Sequence, residues 1–360
     1  MKLNRIFIWS VSIMVSLLLF SAGCGPVSEE PVKAKPTGEP AKAPAEIVKK
    51  TPEPAKPKPV KPKPAKPEPV SLGLKFTPKD QTVYKLTMET ERSLNFEGPT
   101  LNKEEFKDSR NYNKVEIKFM QEIESVDEKG NAVVKIKIQD LTYLSIYKNK
   151  ELMNFNSNRA RDRHNPLEKL SGKSYKIKLS PDGRVLQVID VEKARTAVKG
   201  NTSAHKTAQR LLSSDVIKER HSIPALPPAD KNQIQIGDNW SYVKVFTFPL
   251  LGSRSYEKIY TLTEVKDADN HKIALVKMNA IPAAEDQSDE SDASQIQNIF
   301  DNTETYTGRL KINLTTGKIE TLSEKMKSQW VGVNPTSKEG REPDILTMGA
   351  VRAFSLEKIK

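Results

Sequence analysis

The chain has 360 residues and a single cysteine, Cys24, so no internal disulfide can staple it. Only four histidines occur, His164, His205, His221 and His271, and none belongs to an HExxH pair or stands at metal-ligand spacing from a partner. The nucleophile elbow GxSxG is missing: GSRSY at Gly252 lacks the second glycine. SGKS at Ser171 contains Gly-Lys-Ser, but Leu167 stands where a phosphate-binding loop needs its first glycine, so the backbone N–H groups cannot wrap a phosphate. DADNHK at Asp267 has carboxylates and an amide in Ca²⁺-like order, yet Lys272 and Met278 replace the required Gly and Glu, which leaves a hairpin turn. These absences remove thiol, serine, metal and nucleotide chemistry from the motifs. The expectation is a protein that is not an enzyme, with no catalytic residue, cofactor or metal. Paired carboxylates for glycan hydrolysis depend on three-dimensional spacing, and nothing in the sequence marks a pair.

Long apolar runs are equally scarce. The one that exists, Ile6 to Phe20, follows Lys2 and Arg5 and precedes Ser21, Ala22, Gly23 and Cys24. Charge, apolar core and small residues in that order form a secretory signal, and the run is shorter than the roughly 20 residues of a spanning helix. A lone cysteine directly after Ala22 and Gly23 resembles the lipobox of bacterial lipoproteins, with Ser21 where that family usually has Leu. The resemblance implies a signal peptide over residues 1–23, acylation of Cys24 and anchorage in a membrane through the lipid. Gly25, rather than Asp, follows the cysteine, which by the same resemblance implies the outer membrane, facing the periplasm.

Residues 24–72 lack aromatics and are dominated by proline and lysine, as in TPEPAKPKPVKPKPAKPEPV over 51–70. Proline removes donors and blocks helix and sheet, so this segment is expected to be a disordered, polyproline-like stalk. Those twenty residues reach roughly 60 Å when extended. Residues 1–72 hold half of the chain's net charge of +12. That charge either keeps the stalk solvated or attracts an anionic envelope polymer or lipid. Nucleic acid is excluded as a partner by export and by the absence of aromatics among these lysines. The sequence does not identify a protein partner.

Beyond the stalk, alternation takes over. Val115, Ile117 and Phe119 share one face of KVEIKF, and Val134, Ile136 and Ile138 share one face of AVVKIKI, with Lys135 and Lys137 opposite. Period-two patterning with basic residues on the other face predicts half-buried antiparallel sheet. Three segment pairs match in the same order: FTPKDQTVYKL with IQIGDNWSYVKV, the stretch from Ile123 with that from Leu262, and the stretch from Tyr175 with that from Tyr306. They predict two β repeats, over 73–228 and 229–360, the first ending in a helical segment at 191–220. There Ala204, Ala208, Leu211, Leu212 and Val216 fall at helix spacing, and Thr202 or Ser203 provides a cap. The expected fold is mainly β with minor α: two similar antiparallel halves forming a curved half-barrel or a sandwich. The half-barrel form resembles, in architecture alone, carriers that move lipids and lipoproteins across bacterial periplasms. IGDNW and DGRVLQV, with the alternating strands, resemble uncharacterised bacterial lipoproteins known only as domains of unknown function, over roughly residues 75–325. That likeness implies no activity.

Two candidate contact sites follow. Trp240, Tyr242, Phe246 and Phe248 on WSYVKVFTF either line a ligand surface or form ordinary core. Arg159, Arg161 and Arg163 in RARDRH form a basic loop suited to anionic oxygens, or a solvated connection. EDQSDESDAS, Glu285–Ser294, reads as a solvated acidic loop. The expected function is a lipid-anchored, non-catalytic binding module for a hydrophobic or envelope ligand. The alternative is a structural or partner-binding envelope component without a small ligand.

Overall fold

The computed structural model describes residues 68–99, 107–231, 233–248, 252–268, 270–283, 300–333 and 342–359. In chain order the elements are β1 (Val70–Ser71), β2 (Gln81–Glu97), β3 (Ser109–Val126), β4 (Ala132–Tyr147), β5 (Lys150–Asn156), β6 (Ser174–Leu179) and β7 (Val185–Ile189). Helices α1 (Glu192–Arg195), α2 (Ser203–Leu211) and α3 (Ser214–His221) follow. The second half holds β8 (Gln233–Ile234), β9 (Asn239–Phe248), β10 (Gly252–Ala268), β11 (His271–Pro282), β12 (Phe300–Asn313), β13 (Lys318–Val333) and β14 (Ile345–Lys358). All but β1 and β8 join one twelve-stranded antiparallel sheet in the order β7-β6-β4-β3-β2-β14-β13-β12-β11-β10-β9, with β5 on the free part of β4. Among the described residues no helix is long and apolar enough to cross a membrane.

Alternation assigns the two faces. On β4, Val134, Ile136 and Ile138 are buried while Lys135 and Lys137 point the other way, toward the open face. The sheet is not flat. In a flat sheet β9 and β13 would lie roughly 19 Å apart, four strand spacings. Instead the rings of Phe248 and Trp330 are 5.2 Å apart, and Arg352 of β14 lies 4.8 Å from the ring of Phe246. The second half therefore curls until its buried face packs on itself. Of the expected forms, a curved half-barrel or a sandwich, the chain takes one continuous curved sheet that is not closed into a barrel.

The helices fill the first half. Phe119 of β3 meets His221 edge-on at 5.1 Å, and the Arg210 guanidinium donates to the Tyr143 hydroxyl of β4. Thr202 caps α2, its hydroxyl accepting from the His205 N–H at 3.2 Å. The expected single stripe is broken after Leu211, because Ser213 caps a new helix by accepting from the Val216 N–H. The break turns α3 toward both sheet edges. Ile223 N–H donates to the Gly183 carbonyl just before β7, and Glu219 pairs with Lys244 on β9 at 3.6 Å. A helical plug thus stands between two edge strands that would otherwise invite pairing with other chains.

The three matched segment pairs occupy corresponding places. Ile123 exchanges backbone hydrogen bonds with Lys79 and Asp80, and Leu262 does the same with Gly237 and Asp238. A register shift follows each, between Ile123 and Ser125 and between Leu262 and Glu264. A second pair of shifts falls at Lys178/Leu179 and Lys311/Ile312, just before the turns at Gly183 and Gly317.

The segment before β2 crosses both of those turns. Leu74 N–H donates to the Pro181 carbonyl at 2.8 Å, and Lys75 Nζ donates to the Leu314 carbonyl at 2.6 Å. Gly317 takes φ +67°, and a Cβ there would fall 2.2 Å from the Lys75 nitrogen. Gly172 takes φ +75° but faces open space. Gly172→Ala is expected to cost about 1 kcal/mol, the strain of a positive φ alone. Gly317→Ala must also displace the crossing segment and is expected to cost at least about twice that. Urea unfolding of both variants tests this, and equal losses would show that the crossing segment is not held against the turn.

Candidate functional site

Trp240, Tyr242, Phe246 and Phe248 all fall on the buried face of β9, between Ser241, Val243, Val245 and Thr247. Trp240, Phe246 and Phe248 are buried, and Tyr242 is half-buried, with its hydroxyl donating to the Leu226 carbonyl at 3.1 Å. Their rings pack both on the neighbouring strand β10 and across the curl. Trp240 stacks on Tyr260 at 6.0 Å, and Phe246 touches Tyr256 and Tyr306 at 5.8 Å each. The four aromatics are brought together as the fill of the curled half.

A charged pair lies inside this aromatic fill. Lys258 Nζ of β10 sits 2.9 and 2.8 Å from the two carboxylate oxygens of Glu324 on β13, with side-chain exposures of 5% and 13%. The Tyr260 and Tyr306 hydroxyls donate to the same carboxylate at 3.2 and 3.0 Å. Burial first, and Glu324 second, holds both phenols well above their ordinary pKa, so they remain protonated donors. Gly308 stands directly opposite Glu324 in the β12–β13 ladder, and a Cβ there would meet the Ser323 carbonyl at 2.8 Å and the Glu324 Cγ at 3.1 Å. One row away, the Tyr256 hydroxyl faces Glu304 and Ser328 without reaching hydrogen-bond geometry with either. The sequence reading missed the pair, although its signal is present. Lys258 interrupts the stripe Tyr256–Tyr260, and Glu324 interrupts Leu322–Met326.

The basic loop is partly committed to its own structure. Arg159 pairs with Asp162 at 2.6 Å and donates to the Asn154 carbonyl at 2.7 Å, bracing the short helical turn Ala160–Asp162. Arg161 and Arg163 are exposed beside it. His221 is buried and bonded to the Tyr175 hydroxyl at 2.7 Å, and His205 Nδ1 contacts the Val198 carbonyl. Among the described residues no group of His, Cys, Asp and Glu is placed to hold a metal ion. Cys24, residues 25–67 of the expected stalk and the acidic loop Glu285–Ser294 lie outside the described residues, whereas the end of that stalk is part of the fold, with Val70–Ser71 paired to β8 and Leu72 buried.

The open face differs between halves. In the first half cations meet carboxylates: Lys114 with Glu89 and Glu116 at 3.3 Å, Arg110 with Glu91 at 2.7 Å, Lys176 with Glu124 at 2.8 Å and Lys178 with Asp127 at 2.9 Å. In the second half the exposed Lys277, Arg309 and Lys325 pair with no carboxylate among the described residues. They border a groove of about 720 Å³ whose other lining includes Thr87, Ser323 and Ser355. This groove lies on the side of the sheet away from the aromatic fill.

A family model described as a family of unknown function (DUF6263) matches residues 129–319. No curated protein matches the chain. Among solved structures, one titled "Lipid-protein interactions in lipovitellin" is 10% identical, with a TM-score of 0.37. That match covers 79% of this chain and 26% of the lipovitellin chain, so the chain spans about a quarter of that protein's length. DynF, from the dynemicin biosynthesis pathway of Micromonospora chersina, is 9% identical with a TM-score of 0.16, covering 84% of this chain and 94% of its own.

Proposed function

The chain belongs to DUF6263, a family of unknown function, and on that premise we propose that it is a lipid-anchored envelope protein. Its β domain is a non-catalytic binding module that meets its envelope ligand on the sheet's open face. Cys24 carries the acyl anchor, the Pro/Lys-rich stretch read over 24–72 forms the stalk up to where Val70–Ser71 join the fold, and the outer membrane facing the periplasm is its place. The observation that carries the reading is the contrast between the two faces of the second half. The buried face is occupied by Trp240, Phe246, Phe248, Tyr306 and the Lys258–Glu324 pair. A hydrophobic ligand would have to displace close-packed rings there, which loses the contacts that hold the curl together. The open face carries the cations Lys277, Arg309 and Lys325, which pair with no carboxylate among the described residues.

Two measurements test the two parts. Metabolic labelling with palmitate is expected to mark the full chain and not the Cys24→Ala variant, and equal labelling would remove the anchor. Native mass spectrometry of residues 68–360 is expected to return the polypeptide mass. A stoichiometric lipid in several preparations would instead make the curled interior the ligand site.

A further inference from the structure

Lys277, Arg309 and Lys325, which pair with no carboxylate among the described residues, do not form a diffuse patch, because the ladder aligns them. Lys277, Arg309, Ser323, Ser355 and Thr87 are successive register partners on β11, β12, β13, β14 and β2. Beside this row runs a second, in which Lys325 is paired with Thr307 on one side and Ala353 on the other. Each step across strands is about 4.8 Å, so the first row extends roughly 19 Å. Two cations, Lys277 and Arg309, stand at its β11–β12 end with Lys325 beside them in the second row, and three hydroxyls continue it to β2. Small side chains form the middle of the furrow, and Glu89 borders its far end, already paired with Lys114.

We propose that this groove binds a linear anionic glycan lying across the strands. Its acidic groups sit over Lys277, Arg309 and Lys325, and its hydroxyls meet Ser323, Ser355 and Thr87. This names the ligand class of the open-face binding module proposed above and rests on that reading. Charge complementarity selects an anion, since Arg and Lys here can give charge-assisted hydrogen bonds to carboxylate or phosphate oxygens without breaking an internal pair. Repeat distance selects a glycan. An extended pyranose chain advances by about one strand spacing per unit, so each unit meets the next strand. An extended peptide presents same-side residues only every ~6.8 Å and falls out of step with the ladder. A membrane surface is flat and does not reach the floor of a furrow.

The test titrates the full chain in non-ionic detergent with an alginate tetrasaccharide, using cellotetraose as the uncharged control. Binding that weakens as salt rises, with none to cellotetraose, is expected. Arg309→Ala/Lys325→Ala is expected to weaken it by at least about tenfold, the effect of losing one charge-assisted contact. Ser355→Tyr, which keeps the charge and fills the floor, is expected to weaken it comparably. Both variants alter exposed side chains, and an unchanged urea midpoint confirms their fold. Undiminished binding by the double variant would assign the glycan to the stalk lysines and overturn the proposal. So would wild-type binding by Ser355→Tyr, which would mean diffuse attraction, or equal dependence of phosphatidylglycerol vesicle binding on Arg309 and Lys325. A lipid inside the curl would sink the surface-module reading through the mass measurement, whereas these titrations fail independently of it.

Discussion

Lys258→Met is expected to destabilise the domain by about 3–5 kcal/mol, because it strands the Glu324 carboxylate in a nearly dry aromatic interior. The Tyr260 and Tyr306 hydroxyls would still donate to that carboxylate, but two neutral donors do not replace an ammonium bonded to both oxygens. Glu324→Leu is expected to cost a similar amount by leaving Lys258 unpaired at 4% exposure. The double variant removes both charges together. It is expected to be more stable than either single variant, with a coupling of at least about 2 kcal/mol, since apolar replacement of a whole buried pair is often near neutral. Recovery stays incomplete, because the two tyrosine hydroxyls then lose their acceptor. Urea unfolding of the four proteins closes the cycle, and additive losses would show that the two groups do not depend on each other.

His221 is expected to make the domain acid-sensitive in a window that the carboxylates do not set. Burial first, and the Arg220 guanidinium second, pushes its pKa down to about 3. Its Nε2 lies 2.7 Å from the Tyr175 hydroxyl, and Phe119 packs on the ring, so there is no room for a counter-ion. In the unfolded chain the imidazole titrates near 6.5. Below that pH the unfolded state takes up a proton that the folded state refuses, so stability is intact above about 6.5 and falls as pH drops toward 3. The limiting slope is about 1.4 kcal/mol per pH unit, so roughly 2 kcal/mol is lost between pH 6.5 and 4.5. His221→Asn keeps a polar side chain beside Tyr175 but cannot titrate. Its stability should fall less steeply over that window than that of the parent, and parallel curves would assign the acid loss to other groups.

How far these sites could be read from the chain depends on what the pattern encodes. Alternation in KVEIKF and AVVKIKI gave the buried faces correctly, since a strand's face follows from period two alone. Thr202 as a cap was equally local. The break at Ser213 was hidden because Leu211, Leu212 and Val216 keep helix spacing across it. Trp240 to Phe248 were visibly on one face, but whether that face met solvent or the opposite wall depends on a curl that brings strands four places apart into contact. The groove was unreadable. Lys277, Arg309, Ser323, Ser355 and Thr87 sit on five strands, and only the pairing register sets them in line.

The segment that crosses the two hairpin turns also decides how the domain meets mechanical load. If residue 68 leads to a membrane anchor, tension reaching the domain meets the pairing of Val70 and Ser71 with β8 first, and then Leu74 and Lys75. There it divides between the Pro181 carbonyl in one half and the Leu314 carbonyl in the other. Behind them, the Asp80–Lys318 ion pair at 2.8 Å again ties the segment to the second half before β2 begins. A pull is therefore shared between contacts in both halves of the sheet before it reaches the first hydrogen bonds of β2.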